Sequence, residues 1–149
     1  MIKKHQTKSM SFLVILFLLL GSVLFAHSGV KDINVLNRMK LMSSMSEHVK
    51  ILGQMMKKQT SFDEKRVTET LNKILSLSED THSVFKVNAT DPKSEAKSII
   101  WRNFDDFIEL SNQLSDTVKS TSISKYEDLR PAMMKIGADC KACHRKYRE

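Results

Sequence analysis

Residues 129–147 read LRPAMMKIGADCKACHRKY, and they contain both cysteines of the 149-residue chain. Apolar side chains and the two cysteines recur in this stretch at intervals of three and four residues. That spacing places them on one face of an α-helix, because 3.6 residues make one turn. The residues that share this face are Leu129, Met133, Ile136, Cys140, Cys143 and Tyr147. The stretch therefore predicts an amphipathic last helix that carries both thiols near its end.

Residues 140–144, Cys-Lys-Ala-Cys-His, are compatible with four kinds of chemistry. A thioredoxin-like redox couple needs its cysteines at the start of a helix that follows a strand, and the sequence has no strand pattern. A zinc site needs four ligands, whereas Cys140, Cys143 and His144 supply three. A disulfide between the two cysteines would close a very short loop. The remaining reading is the C-x-x-C-H signal for covalent attachment of a c-type haem, which we take as the prediction.

The geometry of a helix gives this haem signal a physical basis. Residues three apart lie on the same face, so Cys140 and Cys143 can both reach the two vinyl groups of one haem. His144 follows the second thiol and presents its imidazole to the iron as an axial ligand. We therefore predict one covalently bound haem c, held by Cys140 and Cys143 and ligated by His144.

The N-terminal segment is typical of a secretory signal. A basic start that ends at Lys8 precedes an almost unbroken apolar run over residues 12–25, and the tripeptide LFA at residues 24–26 is typical of a cleavage site after Ala26. This run is shorter than the ~20 residues that span a bilayer, so a retained membrane anchor is the less favoured alternative. We predict a signal peptide over residues 1–26, a mature domain over residues 27–149, and a periplasmic location. Bacteria attach c-type haem outside the cytoplasm, so the two predictions agree.

Composition and charge exclude several classes of function. Removal of residues 1–26 takes away three lysines and lowers the formal net charge from +7 to +4. That charge is too small, and too mixed with acidic residues, to indicate binding to nucleic acid, and no Gly-rich phosphate loop is present. The sequence shows no general base, nucleophile or substrate cleft, so it does not predict an enzyme.

Three further amphipathic segments precede the last helix. In the first, apolar residues recur every seven positions with others between them, which is the period of a bundle helix. The residues of this predicted buried face are Val35, Met39, Met42, Val49, Leu52 and Met56. Helices joined by short loops pack antiparallel, so the predicted fold is all-α: an up-down-up-down four-helix bundle.

Helix starts are predicted from capping residues. Ser61 with Glu64 forms a capping box for the second helix. Asp91 caps the third helix, with the proline that follows it at the first helical position. Asp128 caps the fourth helix, which places Pro131 in the first turn, where a missing N–H costs little.

Three stretches are similar to motifs of one known family. GADCKACHRKYR, residues 137–148, resembles the C-terminal haem motif of the class II c-type cytochromes, which comprise cytochrome c-prime and its low-spin relatives. IIWRNFDDF, residues 99–107, is similar to the third-helix pattern of that family. NRMKLM, residues 37–42, resembles its first-helix motif. The resemblance spans essentially the whole mature chain and implies a four-helix bundle with one covalent haem.

Position by position, the resemblance implies further roles for residues of the site. Arg38 would lie near a haem propionate. Met42 would lie on the distal side of the haem, where its thioether is a candidate second ligand of the iron. Arg148 would lie near the proximal His144.

The predicted function is one-electron transfer between periplasmic redox proteins. Basic residues surround the haem motif and predict acidic partners: Lys135, Lys141, Arg145, Lys146 and Arg148. The alternative is a five-coordinate, high-spin haem that binds nitric oxide or carbon monoxide. Met42 decides between the two, because a thioether on the iron must be displaced before a gas can bind. Two-subunit packing is common in the resembled family, so a homodimer is a further expectation.

Overall fold

The computed structural model describes residues 29–149. The predicted signal peptide over residues 1–26 and the predicted start of the mature domain at residue 27 lie outside the described residues, and both stay predictions. Residues 31–149 form one unit by their internal contacts. Within the described part of the chain, no helix is long and apolar enough to cross a membrane.

Within residues 29–149, four long helices make up the fold, and a fifth, short helix precedes the third long one. Their bounds are α1 Ile33–Met56, α2 Glu64–Phe85, α3 Ile99–Arg102, α4 Phe104–Lys119 and α5 Leu129–Tyr147. A 3-10 turn, Tyr126–Asp128, leads into α5. The long helices pack in a ring, with α1 against α2, α2 against α4, α4 against α5 and α5 against α1. This arrangement confirms the predicted all-α, up-down-up-down four-helix bundle.

Antiparallel packing brings four helix termini together at the end of the bundle that holds the cysteines. We call it the motif end: the start of α1, the end of α2, the start of α4 and the end of α5. The opposite end holds the connections from α1 to α2 and from α4 to α5.

The buried interior is divided into two clusters. The main core runs along the bundle and includes Leu52, Val67, Ile74, Leu129 and Ile136, all with no exposed surface. The aromatic core lies at the motif end and consists of Phe85, Ile100, Phe107 and Tyr147.

Aromatic packing holds this second cluster together. The centroid of the Phe107 ring lies 4.9 Å from that of Phe85 and 5.3 Å from that of Tyr147, and the Phe107 and Tyr147 rings meet edge to face. Such pairs stabilise a cluster beyond the area they bury. The aromatic core therefore joins the ends of α2 and α5 to the first turn of α4.

The buried face of α1 is displaced from the predicted one. Val35 and Leu52 are buried as predicted. Leu41, Met45 and Met55 are buried as well, whereas the predicted Met39, Met42, Val49 and Met56 are only half-buried. The observed buried face also includes Arg38, which is 2% exposed. A sequence pattern assigns a charged residue to the solvent face, so it turns the predicted face away from Arg38.

The second helix begins at a different cap from the predicted one. Its N-cap is Asp63, whose carboxylate accepts from the backbone N–H of Arg66 at 3.0 Å. The predicted capping box of Ser61 and Glu64 is therefore wrong. Ser61 and Asp63 are both candidate caps by residue type. The Asp63 carboxylate is favoured over the Ser61 hydroxyl because its charge complements the positive end of the helix dipole.

The predicted start of the third helix is also wrong, because residues 86–98 form a non-helical segment that we call the strap. The carboxylate of Asp91 does not cap a helix. It accepts instead from the backbone N–H groups of Lys31 and Lys93, both at 2.9 Å. The hydrogen bond from Lys31 therefore fixes the strap to the segment before α1.

Contacts distant in sequence hold the other half of the strap. Its residues 95–97 pair with the chain around the end of α5 through an isolated antiparallel bridge and two backbone hydrogen bonds. These contacts are Ala96 with Arg148, Lys97 N–H to Tyr147 O at 3.0 Å, and Glu149 N–H to Glu95 O at 2.9 Å. Pairing between these segments competes with local helix formation, and a capping pattern cannot anticipate it.

The predicted start of the last helix is confirmed in its position. Asp128 is the residue before α5, and Pro131 lies in the first turn. The carboxylate of Asp128, however, accepts from the N–H groups of Ser124 and Lys125, both at 3.1 Å. Asp128 therefore closes the turn before the helix and caps none of the helix's own N–H groups.

Replacement of the observed cap should destabilise the protein, and replacement of the predicted one should not. We expect Asp63→Ala to lower the free energy of unfolding by about 1 kcal/mol, since loss of an N-cap carboxylate leaves a helix N–H without a partner. Ser61→Ala, two residues away, is the matched control. Urea unfolding followed by circular dichroism measures both, and equal losses in the two variants would contradict this assignment of the cap.

Candidate haem-attachment site

The two cysteines lie on one face of α5, where the two cores of the bundle meet. Both thiols are free and half-buried. Cys140 packs against the main core and Cys143 against the aromatic core. Because the two thiols are three residues apart, they lie on the same helix face, and each contacts a different core.

Burial controls the protonation of both thiols. It is the first cause that raises the pKa of Cys140, and the charge of Asp139 is the second. Burial, the neighbouring Cys140 and the charge of Asp106 together raise the pKa of Cys143 to about 11. The cysteines of a redox couple show the opposite shift, because their thiolates must form near neutral pH. This environment therefore does not support a thioredoxin-like role.

His144 follows Cys143 and lies at the outer edge of the site. Burial lowers the pKa of its imidazole, the charge of Arg148 lowers it further, and Glu95 opposes the shift. The neutral ring is thus the dominant form at neutral pH, and it is the form that can donate a lone pair to a metal. Among residues 29–149, no group of three or more His, Cys, Asp or Glu side chains is arranged to hold a metal ion.

Arg148 ends up beside His144. Its backbone N–H donates to the His144 carbonyl at 3.0 Å, and its guanidinium forms an ion pair with Glu95. Its role beside a haem ligand stays a prediction.

Met42 lies on α1, across the bundle from the cysteine helix. Its side chain is half-buried and packs against both the main core and the aromatic core. It therefore shares one core with each of Cys140 and Cys143. Met39, one turn earlier on α1, belongs to neither core.

Arg38 lies one turn before Met42 and is buried at the motif end of the bundle. Its guanidinium donates to the carbonyls of Val87 at 3.3 Å and Ala89 at 2.7 Å, both in the strap. It also stacks over the rings of Trp101 and Phe85, at 4.8 and 5.5 Å from their centroids. Burial lowers the pKa of Arg38, although the charge of Asp32 opposes the shift.

Two buried polar atoms in the described part of the chain have no hydrogen-bond partner, and both lie in or beside the candidate site. They are Arg38 Nε and Asp139 Oδ2. Asp139 immediately precedes Cys140. Buried polar groups are nearly always paired, so an unpaired donor on a buried arginine indicates a place for an acceptor that is not part of the polypeptide. A haem carries two carboxylates, and two thiols and an imidazole are present to hold it. The residues fit this group.

Trp101 and Asp106 contribute to the site in ways that the sequence did not reveal. The indole N–H of Trp101 donates to the Phe85 carbonyl at 2.9 Å, which holds its ring against Arg38. Asp106 accepts from the Tyr147 hydroxyl at 2.5 Å and from Lys146 Nζ at 2.8 Å, so it fixes the end of α5. Trp101 belongs to a stretch that resembles a family motif, but the motif gave no contact. Nothing in the sequence singles out Asp106.

Comparisons with known proteins identify the family of this chain. The family model described as cytochrome c-prime matches residues 34–148. A cytochrome c-556 of Agrobacterium tumefaciens (strain II Chrys) is 40% identical over 58 residues, 37% of this chain and 48% of that protein. The aligned region thus spans about half the length of this curated relative.

Solved structures share the fold. An NMR-validated structural model of oxidised cytochrome c556 from R. palustris superposes with a TM-score of 0.73 at 22% identity, covering 80% of this chain and 98% of that one. A nitric oxide complex of a cytochrome c-prime variant from Alcaligenes xylosoxidans gives a TM-score of 0.67 at 24% identity, covering 78% and 94%. At these identities the structures show the fold alone. The family match, which extends over most of the chain, shows that this protein belongs to the cytochrome c-prime family, the class II c-type cytochromes, whose members bind covalently attached haem c.

Proposed function

We propose that this mono-haem c-type cytochrome carries single electrons between redox proteins of the periplasm, with its haem attached through the C-x-x-C-H stretch of α5. Cys140 and Cys143 would hold the haem through two thioether bonds, and His144 would offer its imidazole to the iron. The bound haem supplies an iron that alternates between the ferric and ferrous states. The chain's own residues hold it, set its surroundings and exclude water from its buried face.

The position of Met42 is the observation that carries this proposal. It packs against both cores, and each core also holds one of the two cysteines. A group attached to both thiols therefore lies toward the same interior as the Met42 thioether. A methionine opposite a histidine raises the potential of the iron and keeps its coordination the same in both oxidation states, which suits an electron carrier.

Arg38 supports the proposal from the same helix. Each of its terminal nitrogens donates to a strap carbonyl, whereas its buried Nε has no hydrogen-bond partner among the described residues. A propionate carboxylate of the haem is an acceptor of suitable charge, because a charge-assisted hydrogen bond offsets much of the cost of burying both groups.

Export follows from the sequence pattern over residues 1–26 and from the chemistry of attachment. Covalent haem attachment in bacteria takes place outside the cytoplasm, so a chain of this family needs a route of export. We propose a periplasmic location on this basis, and we assign no residue a catalytic role.

A gas-binding haem is the second candidate function, and one observation favours it. The structural neighbour from Alcaligenes xylosoxidans was solved as a nitric oxide complex. If α1 holds the Met42 sulfur slightly too far from the iron, the same side chain merely crowds that face. The iron is then five-coordinate and open to nitric oxide or carbon monoxide.

The charge around the motif supports docking of acidic partners. Lys146 and Arg148 form ion pairs with Asp106 and Glu95, so these two charges are largely offset. Within residues 29–149, no ion pair is formed by the other three basic residues of this surface: Lys135, Lys141 and Arg145. The net positive field at this end depends mainly on them.

Attachment through the two cysteines predicts a covalent adduct. The protein made in cells competent for cytochrome maturation should exceed its polypeptide mass by one haem, and the colour should survive acid-acetone extraction. Cys140→Ala with Cys143→Ala should abolish this adduct, while Met134→Ala, an exposed change on the same helix, should keep it. Intact mass spectrometry reads all three. A bare polypeptide mass for the unaltered chain would contradict the attachment.

Ligation by Met42 predicts a low-spin ferric spectrum with the weak long-wavelength band of methionine-bound iron. Met42→Ala should lose that band, become high-spin and bind nitric oxide more rapidly, since the gas no longer displaces sulfur. Met39→Ala, one turn away and outside both cores, is the control and should keep the band. If the unaltered protein is already high-spin and binds nitric oxide rapidly, gas binding becomes the better proposal.

Docking through the basic surface predicts electron transfer that depends on salt. The rate with an acidic acceptor should fall as the salt concentration passes ~0.1 M, where the Debye length is near 10 Å. Lys141→Gln should slow transfer at low salt by about two- to threefold through loss of electrostatic steering. Lys57→Gln removes the same charge at the opposite end of the bundle and should have little effect. Stopped-flow rates that are flat with salt, or equal for both variants, would rule out this surface.

A further inference from the structure

The strap is joined to the end of α5 beside His144 by an ion pair set within a short backbone ladder. Glu95 Oε2 accepts from both Nε and Nη2 of Arg148. The carbonyl of Glu95 also accepts from the N–H of Glu149 at 2.9 Å, and the residue after Glu95 bridges to Arg148. Glu95 is therefore held through its side chain and its backbone at once. The guanidinium of Arg148 is fixed four residues beyond His144.

The pair has an electrostatic effect rather than a large effect on stability. The side chains of Arg148 and Glu95 are 53% and 61% exposed, and ion pairs that are this exposed contribute little to folding. The pair nevertheless lies beside His144, because the backbone N–H of Arg148 donates to the His144 carbonyl at 3.0 Å. The edge of the haem site thus holds one cation and the anion that offsets it.

We propose that Glu95 is a positioning residue for the haem: it fixes Arg148 beside His144 and offsets its charge, and so keeps the reduction potential of the iron below the value that an uncompensated Arg148 would give. This inference rests on the proposed attachment of the haem at Cys140, Cys143 and His144. It assigns to the strap a role in setting the potential.

The sign follows from Coulomb's law. The ferric iron carries one more positive charge than the ferrous iron, so a nearby uncompensated cation destabilises the ferric state more. Removal of the Glu95 charge therefore favours reduction and makes the potential more positive. Removal of the Arg148 charge has the opposite effect.

The test is a spectroelectrochemical titration of the haem-loaded protein and its variants. Glu95→Gln should raise the ratio of reduced to oxidised protein at a fixed ambient potential by about two- to tenfold, the effect of one charge at a partly exposed site. Arg148→Gln should lower it, and the double variant should return close to the unaltered protein. Glu95→Asp keeps the charge and should lie nearer to the unaltered protein than Glu95→Gln does.

Glu79→Gln is the matched control. Glu79 also forms an exposed ion pair, with Lys119 at 2.8 Å, and its side chain is 51% exposed. It lies on α2, away from the cysteine helix. The shift of Glu95→Gln should exceed that of Glu79→Gln, and it should shrink at ~1 M salt, where the Debye length is near 3 Å. Equal shifts in the two variants would overturn the inference.

A second readout tests the positioning without the haem potential. Amide hydrogen exchange at Lys97 and Glu149 reports the two backbone bonds of the ladder, and Glu95→Gln should speed it while Glu79→Gln should not. Unchanged exchange together with an unchanged potential would overturn the role of Glu95 and leave the proposed function standing. A protein without covalent haem would overturn both.

Discussion

The burial of one guanidinium organises the motif end of this bundle. The Arg38 side chain is buried in the bundle, where two strap carbonyls accept hydrogen bonds from its terminal nitrogens and two aromatic rings stack against it. An arginine buried without such partners would be strongly destabilising, so these contacts must form together. They draw the strap across the end of the bundle and turn the buried face of α1. They also leave one donor, Nε, directed at no protein acceptor.

Met42 follows Arg38 by four residues, so the two side chains lie on the same side of α1. The conformation that buries Arg38 thus also brings the Met42 thioether against both cores. On the other side of the bundle, α5 carries one cysteine to each of those cores. The proposed haem site is therefore assembled by two helices that meet across the junction of the cores, and the strap contacts both of them.

The class of fold could be predicted from the sequence because its signals are local, and the proposed attachment residues also rest on a local signal. Heptad spacing gives helices, and Cys140, Cys143 and His144 lie within five residues of one another on a single helix. Their proposed roles need no knowledge of tertiary contacts. The start of α5 before Pro131 was likewise predictable, since proline restricts its own neighbourhood.

Other features depend on contacts between distant segments, and the sequence pattern misassigned them. Asp91 looks like a helix cap, yet it bonds to Lys31, sixty residues earlier in the chain. The apolar repeat leaves Arg38 off the predicted buried face of α1, yet Arg38 is buried and its partners lie in the strap about fifty residues later. The pairing of Glu95 with Arg148 is of the same kind. Long-range pairs between polar residues produce no periodic pattern in the sequence, so only the folded structure shows them.

The central claim is that the haem held by α5 has the Met42 thioether as its second axial ligand. Proton NMR of the reduced, haem-loaded protein with labelled methionine methyl groups tests it most directly, because a methyl group bound above a haem is shifted far upfield by the ring current. The account predicts one strongly shifted methionine methyl resonance, which disappears in Met42→Ala and remains in Met39→Ala. A spectrum in which every methionine methyl lies in the ordinary range, or in which the shifted resonance survives Met42→Ala, would contradict it.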